Sequence, residues 1–263
     1  MTQIDPVDLP LRDGPSISVI IPALNEEETI KSCLDSLSEQ NMGRDAYEII
    51  VVDGNSSDNT CDIAAAYADK LILQNRPGIG GARRDGADLA DGHVLVFTDA
   101  DTRYNPQWLS AIAQSILMQK YDASTGPTIF SEMTLQAMLL QLWRMQYHLF
   151  HIFNYYRIIG SNMAVSRDAY ERVSGHRAIS LLEDYDLSMR LFLNGGFRFH
   201  YDPRQIVYTS SRRMQNLLTY TLIFLYGHYH YHITRDYNRL LQYPKFSEMR
   251  LASMMAMLGE AEE

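Results

Sequence analysis

Strand-like and helix-like segments alternate four times within the first hundred residues of this 263-residue chain, and this alternation constrains the fold more than any other feature. Apolar runs bounded by turn-forming residues predict buried strands, and apolar residues at three- and four-residue spacing predict helices between them. The alternation predicts an α/β fold with a mostly parallel sheet and helices on both faces. The predicted strands cover residues 17–21, 47–52, 71–73 and 94–98.

The helical segments between these strands and the second half of the chain are less sharply defined. Asn25 is a plausible N-cap for a first helix that carries its apolar residues at 30–37. A second helix runs through residue 68, and a third follows a glycine-containing loop at 76–81 and ends near residue 90. Beyond residue 130 we expect helices at 131–156, 181–193 and 212–241, a strand at 160–166, and a strand with a turn at 197–208.

Composition argues against several function classes. The formal net charge of −9 disfavours binding to polyphosphate backbones, so we expect no nucleic-acid partner. No run reaches the roughly 18 apolar residues that span a bilayer, and residues 1–15 lack the pattern of a signal peptide. Cys33 and Cys61 lack metal-type spacing, so we expect small buried side chains in a reducing compartment. The expected location is the cytoplasm or the cytoplasmic face of a membrane.

Polar side chains follow three of the predicted strands. Asn25 and Glu26 follow the first strand, Asp53 the second, and the triplet 99–101 (Asp-Ala-Asp) the fourth. Because ligands bind at the carboxyl ends of strands in such sheets, these clusters predict a site there. Two carboxylates at i and i+2 suit a hard divalent cation, which bridges the phosphates of a nucleoside diphosphate. The alternative is a polar turn with a capping aspartate.

Six segments occur in an order that resembles one known family. They are 17–27 (ISVIIPALNEE), 48–60 (EIIVVDGNSSDNT), 78–86 (GIGGARRDG), 97–101 (FTDAD), 160–165 (GSNMAV) and 183–187 (EDYDL). In this combination the chain resembles the family 2 glycosyltransferases, which are inverting enzymes of the GT-A fold that use nucleotide-sugar donors. The resemblance implies a catalytic domain at 16–210, with a nucleotide-binding half at 16–102 and an acceptor half at 103–210. Residues 1–15 then form a tail and 211–263 a helical extension.

The resemblance also implies roles in donor binding. Glu26 is expected near the ribose or base, and Asp53 is expected to hydrogen-bond the base, although Glu26 also suits a helix start and Asp53 an Asx-turn. Arg83 and Arg84 lie near a predicted helix start, where an arginine opposes the helix dipole, and we expect Arg83 to face the ligand. The full expected donor set is Pro22, Ala23, Asn25, Glu26, Asp53, Arg83, Asp99, Ala100, Asp101, Arg212 and Arg213.

The Glu183–Asp184 pair is the predicted catalytic centre. An inverting transfer needs a base for the acceptor proton, and the resemblance assigns that role to Asp184. Glu183 is then expected to contact the acceptor or a helix end. The alternative is that both carboxylates only stabilise the start of a helix. Asp186 suits that structural role better, paired with Arg190 at i+4.

The expected cofactor is Mg²⁺ or Mn²⁺, bound by Asp99 and Asp101. The sequence departs from related lipid-phosphate sugar synthases, because Arg103 stands where they often carry a glutamine. The third ligand is therefore open, and His200 and His228 are candidates. The chain also lacks the Gln-x-x-Arg-Trp motif of processive synthases, so we expect transfer of a single sugar.

Two aromatic stretches, at 135–159 and 217–233, suit a membrane interface, a homo-oligomer interface or an ordinary core. They are not markedly basic, which argues against a strong anionic-lipid anchor. The expected partners are a nucleotide-diphosphate sugar and a glycan or lipid-linked acceptor; the sugar and the base remain open. Two alternative functions also remain: a sugar-phosphate nucleotidyltransferase, whose glycine- and lysine-rich opening motif is missing, and a non-catalytic relative that binds a nucleotide-sugar or a partner protein.

Overall fold

The computed structural model describes residues 14–132, 138, 158–193, 196–210 and 217–242. Most of the aromatic stretch at 135–159 and of the helix expected at 131–156 lies outside these residues. Arg212, Arg213, residues 1–13 of the predicted tail and residues 243–263 of the predicted extension also lie outside them. Among the described helices, none is long and apolar enough to cross a membrane.

A seven-stranded sheet forms the centre of the described structure. Its strands lie in the order β3-β2-β1-β4-β8-β6-β9. The first four strands of the chain run parallel, whereas β8 is antiparallel to both of its neighbours, β4 and β6. The fold is thus the mostly parallel α/β architecture that the sequence predicts. The strands are β1 (Ile17–Ala23), β2 (Tyr47–Asp53), β3 (Lys70–Leu73), β4 (Val94–Phe97), β6 (Ala123–Thr125), β8 (Met163–Ser166) and β9 (Phe199–Tyr201).

A smaller sheet joins the connection after β4 to the second half of the chain. Its order is β5-β10-β7, with β10 antiparallel to β5 and parallel to β7. This sheet starts directly after the Asp-Ala-Asp triplet, so it fixes where the chain leaves the end of β4. The three strands are β5 (Thr102–Tyr104), β7 (Thr128–Phe130) and β10 (Val207–Thr209).

Helices cover both faces of the large sheet, and alternate residues of each central strand face opposite layers. On β1, Val19 packs with the first helix, whereas Ile20 packs with the third. Gly86 allows the third helix to approach closely, because a Cβ there would lie 2.5 Å from Ile20 Cγ2. The helices are α1 (Ile30–Ser38), α2 (Thr60–Ala65), α3 (Gly78–Leu89), α4 (Trp108–Ala113), α5 (Arg167–Arg172), α6 (Glu183–Leu193) and α7 (Leu217–Tyr229).

Three local expectations differ from the structure. Asn25 is not a helix cap, because it has a left-handed backbone (φ 52°) and α1 begins only after Thr29. The expected glycine loop at 76–81 is short, since α3 already begins at Gly78. The expected helix at 212–241 is interrupted: α7 ends at Tyr229, a π-helical turn follows to Thr234, and Arg235 has a left-handed backbone (φ 55°).

The two cysteines follow the expectation only in part. Cys33 is fully buried in α1, where burial raises the pKa of its thiol to about 12. Cys61 lies in α2 but is only partly buried. Both thiols are free.

Candidate active site

The loops after β1 and β2 are joined at the carboxyl end of the sheet. Asn25, in the first loop, makes two hydrogen bonds to the second loop. Its side-chain Oδ1 accepts a hydrogen bond from the backbone N–H of Ser57 (2.9 Å), and its backbone N–H donates to Ser56 Oγ (2.9 Å). Glu27 Oε2 accepts from the side-chain amide of Asn59 (2.8 Å). These reciprocal bonds hold the two loops together, and Asn25 has a left-handed backbone (φ 52°) at this point.

Glu26 lies beneath this surface. Its residue is 4% exposed, and Oε2 accepts a hydrogen bond from the Thr29 hydroxyl (2.8 Å). Its backbone N–H donates to the Thr60 hydroxyl (2.8 Å), which again links the two loops. Pro22 and Ala23 complete β1, opposite the last residues of β2.

Asp53 forms an Asx-turn at the end of β2. Its Oδ2 accepts hydrogen bonds from the backbone N–H groups of Asn55 (2.9 Å) and Ser56 (3.0 Å), and the residue is 5% exposed. The Asx-turn, which the sequence analysis gives as the alternative role of Asp53, is therefore present. The turn does not occupy the whole carboxylate, which has about four lone-pair positions for acceptor bonds.

The Asp-Ala-Asp triplet forms the turn between β4 and β5. The backbone N–H of Thr102 donates to the carbonyl oxygen of Asp99 (3.2 Å), which closes the turn. The side chain of Asp99 is 29% exposed and Ala100 is buried. Asp99 Oδ1 accepts a hydrogen bond from Arg83 Nη2 (2.8 Å), which leaves Oδ2 outside this contact.

The donor atoms at this turn fit Mg²⁺ or Mn²⁺, because both Asp99 and Asp101 offer the carboxylate oxygens that hard cations prefer. Within the described residues, no group of three or more histidine, cysteine, aspartate and glutamate side chains lies together as a metal cage. Arg103 is exposed on β5. Asp99 and Asp101 are the residues that would hold the cation.

Arg83 connects this turn to the predicted catalytic pair. Its side chain is 1% exposed; Nη2 donates to Asp99 Oδ1 (2.8 Å) and Nη1 donates to Glu183 Oε1 (2.7 Å). The neighbouring Arg84 instead bonds Asp88 and the carbonyl of Ser174. Of the two arginines, Arg83 is therefore the one that contacts residues of the candidate site, while the expectation that it faces the ligand stays a prediction.

Glu183 and Asp184 begin α6 but differ in their surroundings. Burial, followed by the negative charge of Asp184, raises the pKa of Glu183 to about 8, although Arg83 acts in the opposite direction. Asp184 is less buried, and its carboxylate accepts hydrogen bonds from the backbone N–H groups of Tyr185 (2.7 Å) and Gly160 (3.1 Å). Glu183 is thus fixed by Arg83, whereas Asp184 is the more accessible carboxylate.

Asp186 has the structural role that the sequence predicts for it. Its side chain is fully buried, with Oδ2 2.6 Å from Arg190 Nη2 and Oδ1 2.8 Å from Arg177 Nη1. The hydroxyl of Tyr231 also donates to Oδ1 (2.9 Å).

The two histidine candidates for a third metal ligand lie in other environments. His200 is on β9, which lies three strands, or about 14 Å, from β4 in the sheet. The ring of His200 stacks on that of Tyr121, with ring centroids 4.6 Å apart. His228 contacts the ring of Tyr185, with centroids 4.9 Å apart. His228 therefore packs on the residue that follows the predicted base, and among the described residues it belongs to no cluster of metal-binding side chains.

The sequence did not reveal that residues 217–242 cover the start of α6. Tyr185 OH lies 3.0 Å from His232 Nε2, and the backbone N–H groups of Ser180 and Leu181 both donate to the carbonyl of Leu240. Leu240 is completely buried with Ile179. Part of the aromatic stretch at 217–233 therefore belongs to a core, while Leu225 and Ile233 are 58% and 70% exposed.

Comparison with known proteins places these features in a family. The family model described as "Glycosyl transferase family 2" matches residues 18–173, more than half of the chain. The chain belongs to glycosyl transferase family 2. The match covers the first five of the six segments described above, apart from residue 17. Within GSNMAV, only the last three residues lie in β8, because Gly160–Asn162 form a 3-10 turn, so the strand expected at 160–166 begins at Met163. The Glu183–Asp184 pair follows ten residues after the end of the match.

Curated relatives agree with this family. The glycosyltransferase AglE of Haloferax volcanii is 37% identical over 123 residues, which are 44% of this chain and 40% of that protein. The probable glycosyltransferase YdaM of Bacillus subtilis is 27% identical over 219 residues, which are 75% of this chain and 51% of that protein. The chain thus spans about half or less of the length of these two relatives.

Solved structures of the same fold include enzymes with a bound nucleotide or nucleotide-sugar and Mn²⁺. One is a mannosyltransferase from Pyrobaculum calidifontis in complex with GDP-Man and Mn²⁺, with a TM-score of 0.66 and 22% sequence identity. The superposed part is 85% of this chain and 65% of the mannosyltransferase chain. Another is glucosyl-3-phosphoglycerate synthase from Mycobacterium tuberculosis in complex with Mn²⁺, UDP and glucosyl-3-phosphoglycerate, with a TM-score of 0.63 and 20% sequence identity. The superposed part is 86% of this chain and 80% of the synthase chain. At this identity the likeness shows the GT-A fold.

Proposed function

We propose that this protein transfers one sugar from a nucleotide-diphosphate sugar to an acceptor, with inversion at the anomeric carbon. The observation that carries the proposal is the contact of Arg83 with both Asp99, at the end of β4, and Glu183, beside Asp184. The contact brings a candidate metal carboxylate close to a candidate base, although they are far apart in the sequence. Donor chemistry and acceptor activation can therefore occur in one place.

The donor half of the site supports a nucleotide-sugar. Asn25, Glu26 and Asp53 lie on two loops that hydrogen bonds hold together at the carboxyl end of the sheet. Asp99 and Asp101 would hold Mg²⁺ or Mn²⁺ against the diphosphate, and the cation would neutralise the charge that develops on this leaving group. The Pyrobaculum and Mycobacterium structures, with Mn²⁺ and a nucleotide bound, support this assignment.

The acceptor half supports Asp184 as the general base. Two backbone N–H groups orient the Asp184 carboxylate, which stays more accessible than Glu183. A base in this position removes the proton from the acceptor hydroxyl as the hydroxyl attacks the anomeric carbon. Glu183 is bonded to Arg83 and buried, so it suits a supporting role. The acceptor class that we propose is a glycan or a lipid-linked molecule.

The experiment that tests the donor site is calorimetric titration with nucleoside diphosphates and nucleotide-sugars, in Mn²⁺, in Mg²⁺ and in EDTA. We expect one nucleotide to bind in a metal-dependent manner, and the double variant Asp99→Ala/Asp101→Ala to lose the metal-dependent part. The matched control is Asp45→Ala, which removes an exposed aspartate from a short helix away from this end of the sheet.

Two results would argue against the proposal. Binding that is equally tight in EDTA would remove the metal from the mechanism. A folded protein that binds none of the nucleotides would favour the non-catalytic alternative, a protein that binds a partner.

We also propose that the protein works in the cytoplasm, at a membrane surface. Residues 217–234 contain no lysine, arginine, aspartate or glutamate, and Leu225 and Ile233 are 58% and 70% exposed on this segment. An uncharged helix with tyrosines and exposed aliphatic side chains suits the interface of a bilayer. Because the protein carries a net charge of −9, a neutral lipid surface suits it better than an anionic one.

A further inference from the structure

Arg83 lies completely inside the protein, although its guanidinium joins two carboxylates of the candidate site. The side chain is 1% exposed, whereas those of Asp99 and Glu183 are 29% and 11% exposed. Each terminal nitrogen bonds a different carboxylate, at 2.8 and 2.7 Å. A planar guanidinium can make both contacts in a fixed geometry, whereas an ammonium is a single point of charge.

Gly160 provides the surface on which this guanidinium rests. A Cβ at residue 160 would lie 2.5 Å from Nη1, 2.6 Å from Nη2 and 2.9 Å from Cζ of Arg83, so only glycine leaves room for the side chain in this position. The backbone of Gly160 is not in the left-handed region, so the glycine is not needed for its φ angle. Its N–H also donates to Asp184 Oδ2 (3.1 Å).

We propose that Arg83 and Gly160 form a positioning bridge, which sets the distance between the metal-binding aspartate and the catalytic pair without touching the donor. Arg83 fixes Asp99 from one side and Glu183 from the other, and Gly160 fixes both the guanidinium and the carboxylate of Asp184. The inference rests on the proposed function and deepens it, because it gives Arg83 a role different from that of a phosphate ligand.

Burial decides between these two roles. A phosphate ligand must present N–H groups to the donor. Each terminal nitrogen of Arg83 keeps a second N–H besides its bond to a carboxylate, but the side chain is only 1% exposed, so these groups are almost inaccessible to a donor. The bridge therefore acts on the donor only through Asp99 and its cation. Removing it should weaken metal-dependent binding and leave metal-independent binding of the nucleotide unchanged.

The test uses Arg83→Lys and Gly160→Ala in the full chain. The first keeps the positive charge but cannot bridge both carboxylates as the guanidinium does, and the second keeps every charge but displaces the guanidinium. We expect each to weaken Mn²⁺-dependent binding of the nucleoside diphosphate by about 10- to 100-fold, as for groups that orient metal ligands. The nucleotide affinity in EDTA should stay unchanged. We expect kcat to fall about 100-fold, the cost of a small misplacement of reacting groups.

The matched controls are Arg84→Lys and Gly43→Ala. Arg84 is the next residue on α3 and bonds Asp88 (2.9 Å) rather than a residue of the site. Gly43 is exposed, and a Cβ there would meet only the side chain of Asp45, which can move. Both controls should retain the wild-type kcat and affinities.

Specific results would overturn the bridge. If Arg83→Lys weakens nucleotide binding as much in EDTA as in Mn²⁺, Arg83 contacts the phosphates directly. If Gly160→Ala leaves metal-dependent binding and kcat at wild-type values, the packing of the guanidinium on residue 160 has no positioning role.

A measurement without donor separates the bridge from the proposed function. In a double-mutant cycle of chemical unfolding, Asp99→Asn and Glu183→Gln should be non-additive in the wild-type background and additive in an Arg83→Met background, because Arg83 is their common partner. If the wild type binds no nucleotide but this coupling is found, the proposed function fails and the bridge stands. If the coupling persists in Arg83→Met, the bridge fails whatever the nucleotide result.

Discussion

Asp184→Asn and Asp186→Asn should have opposite consequences, although the two aspartates lie two residues apart on α6. Asp184 is the more accessible carboxylate of the predicted catalytic pair, whereas Asp186 is fully buried among two arginines and a tyrosine. We expect the first substitution to abolish most of the sugar transfer with little loss of stability. The second should destabilise the fold much more than it alters the chemistry of the molecules that remain folded.

The expected loss at Asp184 follows from its proposed role. General-base catalysis contributes about 10²- to 10⁴-fold to a rate, so kcat should fall by this factor, which corresponds to about 3–5 kcal/mol in activation free energy. The asparagine oxygen can still accept a hydrogen bond from the N–H of either Tyr185 or Gly160, and water can reach the partly exposed side chain. The unfolding free energy should therefore change by no more than about 1 kcal/mol.

The expected loss at Asp186 follows from its partners. The side chain is fully buried, and asparagine leaves Arg190, which is 16% exposed, without its anionic partner. Breaking a buried ion pair costs about 3–5 kcal/mol. Arg177 is 43% exposed and asparagine retains part of the hydrogen bonding, so a value of about 3 kcal/mol is expected. For a chain of this size the melting temperature should then fall by about 6–12 °C.

The assay compares the two variants with the wild type by initial rates of transfer, donor titration and thermal unfolding. Donor affinity should be retained in Asp184→Asn, since the base acts on the acceptor. The reasoning would be refuted if Asp184→Asn kept more than about a tenth of the wild-type kcat. It would also be refuted if Asp186→Asn melted at the wild-type temperature, because its ion pairs would then contribute nothing.

Two further predictions concern stability and location. Burial, followed by the charges of Arg83, Arg190 and Arg84, lowers the pKa of His176 well below its usual value. The unfolded chain therefore binds a proton near pH 6.5 that the native state does not, and His176 alone lowers the unfolding free energy by up to about 1.4 kcal/mol per pH unit below that value. The raised pKa of Glu183 contributes a slope of opposite sign, and it does so equally in the wild type and in His176→Gln. In chemical unfolding between pH 7.5 and 5.5, the slope of the unfolding free energy against pH should therefore be more positive in the wild type than in His176→Gln; equal slopes would contradict the assignment. The double variant Leu225→Ser/Ile233→Ser should co-sediment less with phosphatidylcholine vesicles than the wild type, and equal co-sedimentation would remove this segment as the membrane contact.

The first half of the fold could be predicted from the sequence because its strands are buried on both faces. Strands of this kind appear as unbroken runs of β-branched and apolar residues, which is why β1, β2 and β4 lie within one or two residues of their predicted limits. The position of Asp99 and Asp101 just after β4 follows from the same pattern. The family resemblance then added roles that no spacing could supply.

The second half could not be predicted in the same way, because its strands are too short to carry a pattern. β5, β7 and β10 have three residues each and exist as strands only because they pair with one another. Their partners are up to about a hundred residues apart in the sequence: Thr102 pairs with Thr209. Likewise, the contact between Arg83 and Glu183 spans 100 residues, so local spacing gave no sign that Arg83 would be buried.

The glycines of the GIGGARR segment, which forms part of the resemblance to the family, also allow two elements of this structure to pack closely. The sequence predicts a glycine-containing loop at 76–81, but Gly80 lies inside α3, and a Cβ there would lie 2.2 Å from the carbonyl oxygen of Arg177 and 3.1 Å from Glu183 Cβ. The backbone N–H of Gly80 donates to the carbonyl of Ile179 (2.9 Å), so this amide in the first turn of α3 bonds the protein itself. The glycine is therefore required for close contact between α3, which carries Arg83, and the segment that leads to Glu183. Any larger residue at position 80 would separate the two halves of the proposed site.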